Sequence, residues 1–83
     1  MPRFYFDYFQ DGELTGLDTE GTQLPDRAAV RLEAGVSMGE LSRDLLRKES
    51  PDRRFGIKVR EEHGQYFLEC KLSFEVLDLE KAS

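Results

Sequence analysis

Residues 67–76 read Phe67-Leu68-Glu69-Cys70-Lys71-Leu72-Ser73-Phe74-Glu75-Val76, and their alternation decides the fold class. Leu68, Cys70, Leu72, Phe74 and Val76 fall on one side of an extended chain; Phe67, Glu69, Lys71, Ser73 and Glu75 fall on the other. Five alternations in succession predict a strand with one face on a core and one in water, as in antiparallel sheets. Such a face must be covered by a second layer.

Working backwards, residues 61–65 contain His63-Gly64 and read as a hairpin loop. Before them, Phe55, Ile57 and Val59 alternate with Arg54, Lys58 and Arg60, a half-buried strand over 54–60. The long last strand is expected inside the sheet. At the other end, residues 3–9 are rich in aromatic side chains and predict a strand with Phe4, Phe6 and Tyr8 on one face and Tyr5, Asp7 and Phe9 on the other. Gln10-Asp11-Gly12 is a hairpin bend. Residues 13–18 return as a shorter strand, in which Gly16 marks a bulge, and residues 19–22 form a loop.

The second layer comes from residues 27–48. Asp26 suits an N-cap, because its carboxylate can accept from the first free backbone amides. Val30, Ala34, Met38, Leu41 and Leu45 recur at steps of three and four and make one apolar stripe. Ala28, Leu32, Val36, Gly39 and Leu46 make a second stripe further round the helix, which one sheet cannot easily cover. Ser50-Pro51-Asp52 ends the helix, since proline disfavours helical geometry in the residue before it. The expected fold is α+β, ββαββ: an antiparallel four-stranded sheet with one long helix packed on one face. The 83 residues are read as a single domain, with 79–83 a fraying tail.

Composition narrows the function classes. A chain of this length buries roughly 60–65% of its unfolded surface, so its core is thin. Apolar residues make up 39% and charged residues 35%, with six Phe and three Tyr, which argues against disorder. One cysteine permits no internal disulfide, which favours a reducing compartment. Asp7 interrupts the N-terminal apolar run too early for a secretion signal, and no stretch reaches membrane-spanning length. A cytoplasmic protein is therefore expected. The net charge of −5 is unevenly spread: residues 1–26 carry −5, residues 27–60 carry +4 and residues 61–83 carry −4.

No catalytic or metal-binding pattern stands out, and neither enzyme activity nor a cofactor is expected. His63 lies in a turn without an evident nucleophile. Cys70 falls on the apolar face of its strand, where a thiol behaves as a small hydrophobe of low reactivity. Asp7, Asp11, Glu13, Asp18 and Glu20 lack the spacing of a calcium loop. Arg43, Arg47, Arg54, Lys58 and Arg60 could meet phosphates or an acidic protein surface, or pair with nearby acids on the surface. Leu32, Val36 and Leu46, with Tyr5 and Phe9 on the outer sheet face beside Phe67, imply more apolar surface than one small subunit hides.

The opening Met1-Pro2-Arg3-Phe4-Tyr5-Phe6-Asp7 followed by Asp11-Gly12, the loop Asp18-Thr19-Glu20-Gly21-Thr22-Gln23-Leu24-Pro25-Asp26, and the helix text Glu33-Ala34, Glu40-Leu41 and Arg43-Asp44 resemble small uncharacterised proteins of about 80 residues common in rhizobia and related alphaproteobacteria. Val30 and Gly35 stand where alanine or a stronger helix former is usual in that group. The resemblance spans essentially the whole chain; it implies a bacterial cytoplasm and brings no activity, cofactor or site residue. At the level of fold alone, the opening is also similar to antitoxin domains built as partial double-stranded-RNA-binding folds, without their glycine and aromatic spacing in the second strand. The expected function is a non-enzymatic protein-interaction or regulatory module acting as a small homodimer through Leu32, Val36, Leu46, Tyr5 and Phe9. The alternative is an antitoxin-like, nucleic-acid-linked regulator using the basic central region.

Overall fold

The structure, a computed structural model, describes residues 1–47 and 53–80. Its elements run β1 (Arg3–Gln10), β2 (Glu13–Gly16), β3 (Thr22–Gln23), α1 (Arg27–Leu46), β4 (Arg53–Glu61) and β5 (Tyr66–Phe74). All strand pairs are antiparallel, in the order β2-β1-β4-β5, with β3 also on β1. The α+β class and the single helix agree with the sequence reading. Among the described residues the sheet has five strands rather than four, because Thr22, expected at the end of a loop, and Gln23 form β3.

The first hairpin shows why. Asp11 and Gly12 both have positive φ, 51° and 86°, the twist that a two-residue hairpin turn requires. The register then slips between Tyr8 and Phe9, which face Gly16 and Leu14, leaving Thr15 as a bulge next to the glycine that foretold it. The chain leaves β1 and comes back six residues later, where Arg3 pairs with Gln23 and Phe4 with Thr22. Asp18 fills the gap. Its Oδ2 accepts from the Phe6 amide at 3.0 Å, while its Oδ1 accepts from the amides of Glu20 and Gly21 at 3.1 and 2.9 Å. An aspartate that caps its own following turn is a local device; here it also stands in for a missing strand partner. Gly21, at φ 75°, lies where a Cβ would come within 2.7 Å of the Arg3 side chain.

The helix begins as expected: Asp26 caps it, its carboxylate accepting from the Ala29 amide at 2.9 Å. Val30, Ala34 and Met38 are buried against Phe4, Phe6, Phe55, Ile57 and Val59, with Leu24, Leu45, Leu68 and Cys70 at the margin. The helix lies over β4 and β5, and among the described residues the opposite sheet face has no second layer. The expected Ser50-Pro51-Asp52 turn, Lys48 and the last three residues of the tail lie outside the described residues.

Two further expectations are corrected. The last strand is not interior: β5 forms an edge, and β1 and β4 occupy the middle. One-sided alternation requires only that the helix cover one face, which an edge strand satisfies as well. Phe67 is not on the outer face either. Between Val59 and Arg60 the register shifts, so that Val59 faces Leu68 and Arg60 faces Tyr66. Phe67 is the extra residue of this bulge; its ring turns to the helix side, 5.8 Å from Phe4 and beneath the Arg27 guanidinium.

Candidate functional site

The helix-free face of the sheet carries the densest group of polar and aromatic side chains, and strand parity places them there. Alternate positions of β1, β4 and β5 present Tyr5, Asp7 and Phe9, then Arg54, Lys58 and Arg60, then Tyr66, Glu69 and Lys71. At the centre Asp7 is fully buried. Its Oδ2 accepts from Arg60 Nε at 2.9 Å and from the Tyr66 hydroxyl at 2.6 Å; its Oδ1 accepts from the Asp18 amide at 2.9 Å and from Arg60 Nη2 at 3.3 Å. Arg60 also donates to the Asp18 carbonyl at 3.0 Å. One carboxylate thus ties three strands and the β2–β3 connection together.

Burial alone would raise the Asp7 carboxyl. The hydrogen bonds from Arg60, Tyr66 and Asp18 and the guanidinium charge outweigh it, and Asp7 lies below the usual carboxylate range. The hydrogen bond to Asp7 raises Arg60, with burial working against it, and the same kind of bond, aided by burial, pushes the Tyr66 phenol up. With four donors on two oxygens, Asp7 has no lone pair left for a proton in transit. The group is a clamp.

Aromatic rings and bases alternate around it. The Arg60 guanidinium lies 4.7 Å from the Tyr5 ring centre, and Lys58 Nζ lies 4.7 Å from that of Phe9 and 5.6 Å from that of Tyr66, within cation–π range. Phe9 and Tyr66 meet edge to face at 6.3 Å. Beside them, where Gly56 offers no side chain, a shallow depression of about 290 Å³ is lined by Phe9, Arg54, Lys58, Glu69 and Lys71.

The residues singled out from sequence divide between two surfaces. Leu32, Val36 and Leu46 lie on the helix, 76%, 58% and 36% exposed; Tyr5 and Phe9 are half-buried on the open sheet face, with the sheet between the two groups. Arg43 on the helix and Arg47 at its C-cap are likewise exposed, apart from Arg54, Lys58 and Arg60. Arg60 is taken up by Asp7. His63 is exposed in the β4–β5 turn, 3.3 Å from Glu62. Cys70 is half-buried on the helix side of β5. Among the described residues no three His, Cys, Asp or Glu side chains gather as a metal site would need; Asp11 instead pairs with Arg53 at 3.3 Å and accepts from the Arg54 amide. Sequence reasoning missed Tyr66 and the Asp7–Arg60 pair. The available signal was a single acid amid the outward aromatics of one strand, and a neighbouring strand with outward bases.

A family model described as a domain of unknown function, DUF6894, matches residues 3–73. The chain belongs to the DUF6894 family. The match takes in the helix and all five strands but for Phe74, the last residue of β5, so the Asp7 clamp and the exposed helix stripe both lie within the DUF6894 domain. No curated protein and no solved structure matches the chain. The function of this DUF6894 protein is unknown. No helix among the described residues is long and apolar enough to cross a membrane.

Proposed function

We propose that the protein is a non-enzymatic protein-interaction module that works as a small homodimer in a bacterial cytoplasm, as a regulator or accessory factor. One observation carries this reading. The inner face of the helix supplies the core with Val30, Ala34 and Met38, yet Leu32 and Val36 stand 76% and 58% exposed on its other side. Covering about 400 Å² of such surface is worth on the order of 10 kcal/mol before association costs remove much of it. A twofold axis uses one patch twice. The lone Cys70 and the family resemblance in the sequence support the cytoplasm, and the saturated Asp7 supports a structural rather than catalytic centre.

Light scattering tests the reading. A dimer is expected at about 100 µM, the range in which weak self-association shows, and Leu32→Glu is expected to shift it at least tenfold towards monomer while the circular dichroism stays unchanged. A wild-type protein that scatters as a monomer at that concentration removes the homodimer.

A second reading has its own observation: Lys58 over the rings of Phe9 and Tyr66, with Arg54 beside them, is a mixed aromatic and basic surface of the kind on which unpaired bases stack. It requires binding of single-stranded nucleic acid that falls steeply with salt and weakens when Arg54→Glu is combined with Lys58→Glu. Absence of binding at low salt eliminates it.

A further inference from the structure

We infer that a second copy of this chain pairs with it edge to edge along β5, antiparallel, with the twofold axis at Cys70. The inference rests on the self-association reading above and specifies where the axis lies. β5 is the outer strand of the sheet, so one row of its backbone amides and carbonyls faces away from β4, and such a row is a template for another strand. It spans nine residues and contains no proline. Leu72 and Tyr66 on it remain 38% and 44% exposed.

The sequence of β5 is complementary to its own reverse. Laid antiparallel on a copy of itself about Cys70, Leu68 meets Leu72 and Glu69 meets Lys71, each pair occurring twice. Glu69 and Lys71 lie on the open face, so the pairing makes two cross-strand ion pairs there. Leu68, Cys70 and Leu72 lie on the helix side, where they extend the apolar layer that already holds Ile57 and Val59. Opposite charges and apolar pairs directly across strands stabilise an antiparallel ladder, and like charges oppose it. Charges on an edge strand usually guard against such pairing; here the two guards attract each other's copies. Within one chain Lys71 and Glu69 are only 3.8 Å apart and exposed, free to exchange partners.

The same pairing gives the helices a neighbour. α1 lies over β4 and β5, so a copy joined at β5 sets the two helices roughly two strand spacings apart, about 10 Å, close to the 8–10 Å at which helices pack. An edge-to-edge dimer thus presents a continuous sheet with two adjacent helices on one side.

Cys70 is the sole cysteine and serves as the probe. Directly opposed residues of an antiparallel pair hold their Cβ atoms about 4.5–5.5 Å apart, within a small adjustment of disulfide geometry. Treating the full chain with copper-phenanthroline, which takes the two electrons as the two thiols lose their protons, is expected to give a disulfide-linked dimer in high yield. Lys71→Glu, which puts Glu opposite Glu and faces only Gly56 within its own sheet, is expected to lower that yield at least fivefold; Glu69→Lys is expected to do the same. The double variant Glu69→Lys/Lys71→Glu restores the complementary pairs and is expected to recover the wild-type yield, an outcome that damage to the fold cannot produce. A protein that scatters as a dimer but whose cross-linking is poor or indifferent to all three variants overturns pairing at β5 and leaves the self-association reading standing. A protein that is monomeric throughout overturns both.

Discussion

Asp7 shows how one residue can hold a small sheet together. Its burial is tolerable because Arg60, Tyr66 and the Asp18 amide saturate it. Asp7→Asn turns an amide nitrogen towards those donors and leaves Arg60 without its counter-charge. Removing one partner of a buried pair costs about 3–5 kcal/mol; Arg60 is partly exposed and can recover some hydration, so about 2–3 kcal/mol is expected in urea denaturation. The pH dependence has a definite sign. Asp7 titrates lower folded than unfolded, so its contribution is complete above the ordinary aspartate value of about 3.9 and is lost as pH falls through the lower folded value. Tyr66 is the converse: raised in the fold, it contributes fully below its unfolded value of about 10 and loses that contribution as pH rises beyond it. Tyr66 is expected to ionise late in an ultraviolet absorbance titration, and Asp7→Asn is expected to bring it back towards its ordinary value.

At the level of elements, the sequence disclosed what local chemistry determines. The Asp26 cap, the Asp11-Gly12 bend, the bulge beside Gly16 and the inward helix stripe follow from side chains acting within a few residues of themselves, and all are present. Asp26→Ala is accordingly expected to cost about 1 kcal/mol, measured by thermal unfolding. What escaped reading depends on distant partners. β3 exists because Asp18 reaches back to Phe6 and Gly21 bends the chain onto Arg3, neither of which is visible from a Thr/Gly-rich loop. Phe67 changed faces because a bulge against β4 reversed the parity of everything before Leu68, and Tyr66 joined the clamp for the same reason. Strand order was illegible because alternation reports a covered face, not a neighbour on each side. Gly21→Ala probes the hidden element. Positive φ costs a side chain about 1–2 kcal/mol, and crowding by Arg3 adds to it, so a loss above that of Asp26→Ala is expected, with faster amide exchange at Phe4 and Thr22.

For the whole molecule the question is which apolar side chains fold the subunit and which remain for something else. The core is small: eight buried hydrophobic residues among those described, three of them from the helix. Val30 and Leu32 sit two positions apart on that helix, the first sealed and the second largely in water, and the pair separates folding from association. Val30→Ala removes two buried methyl groups and is expected to lower stability by about 2 kcal/mol at every protein concentration. Leu32→Glu removes a side chain that the isolated subunit does not bury, so dilute protein should keep its stability within about 0.5 kcal/mol. Association stabilises the folded state by mass action, so the wild-type Tm should climb with concentration. Val30→Ala should shift that rising line downwards without flattening it, and Leu32→Glu should flatten it without lowering its dilute end. If Leu32→Glu instead lowers the dilute end as much as Val30→Ala does, Leu32 belongs to the core and the outer face of the helix has no other work to do.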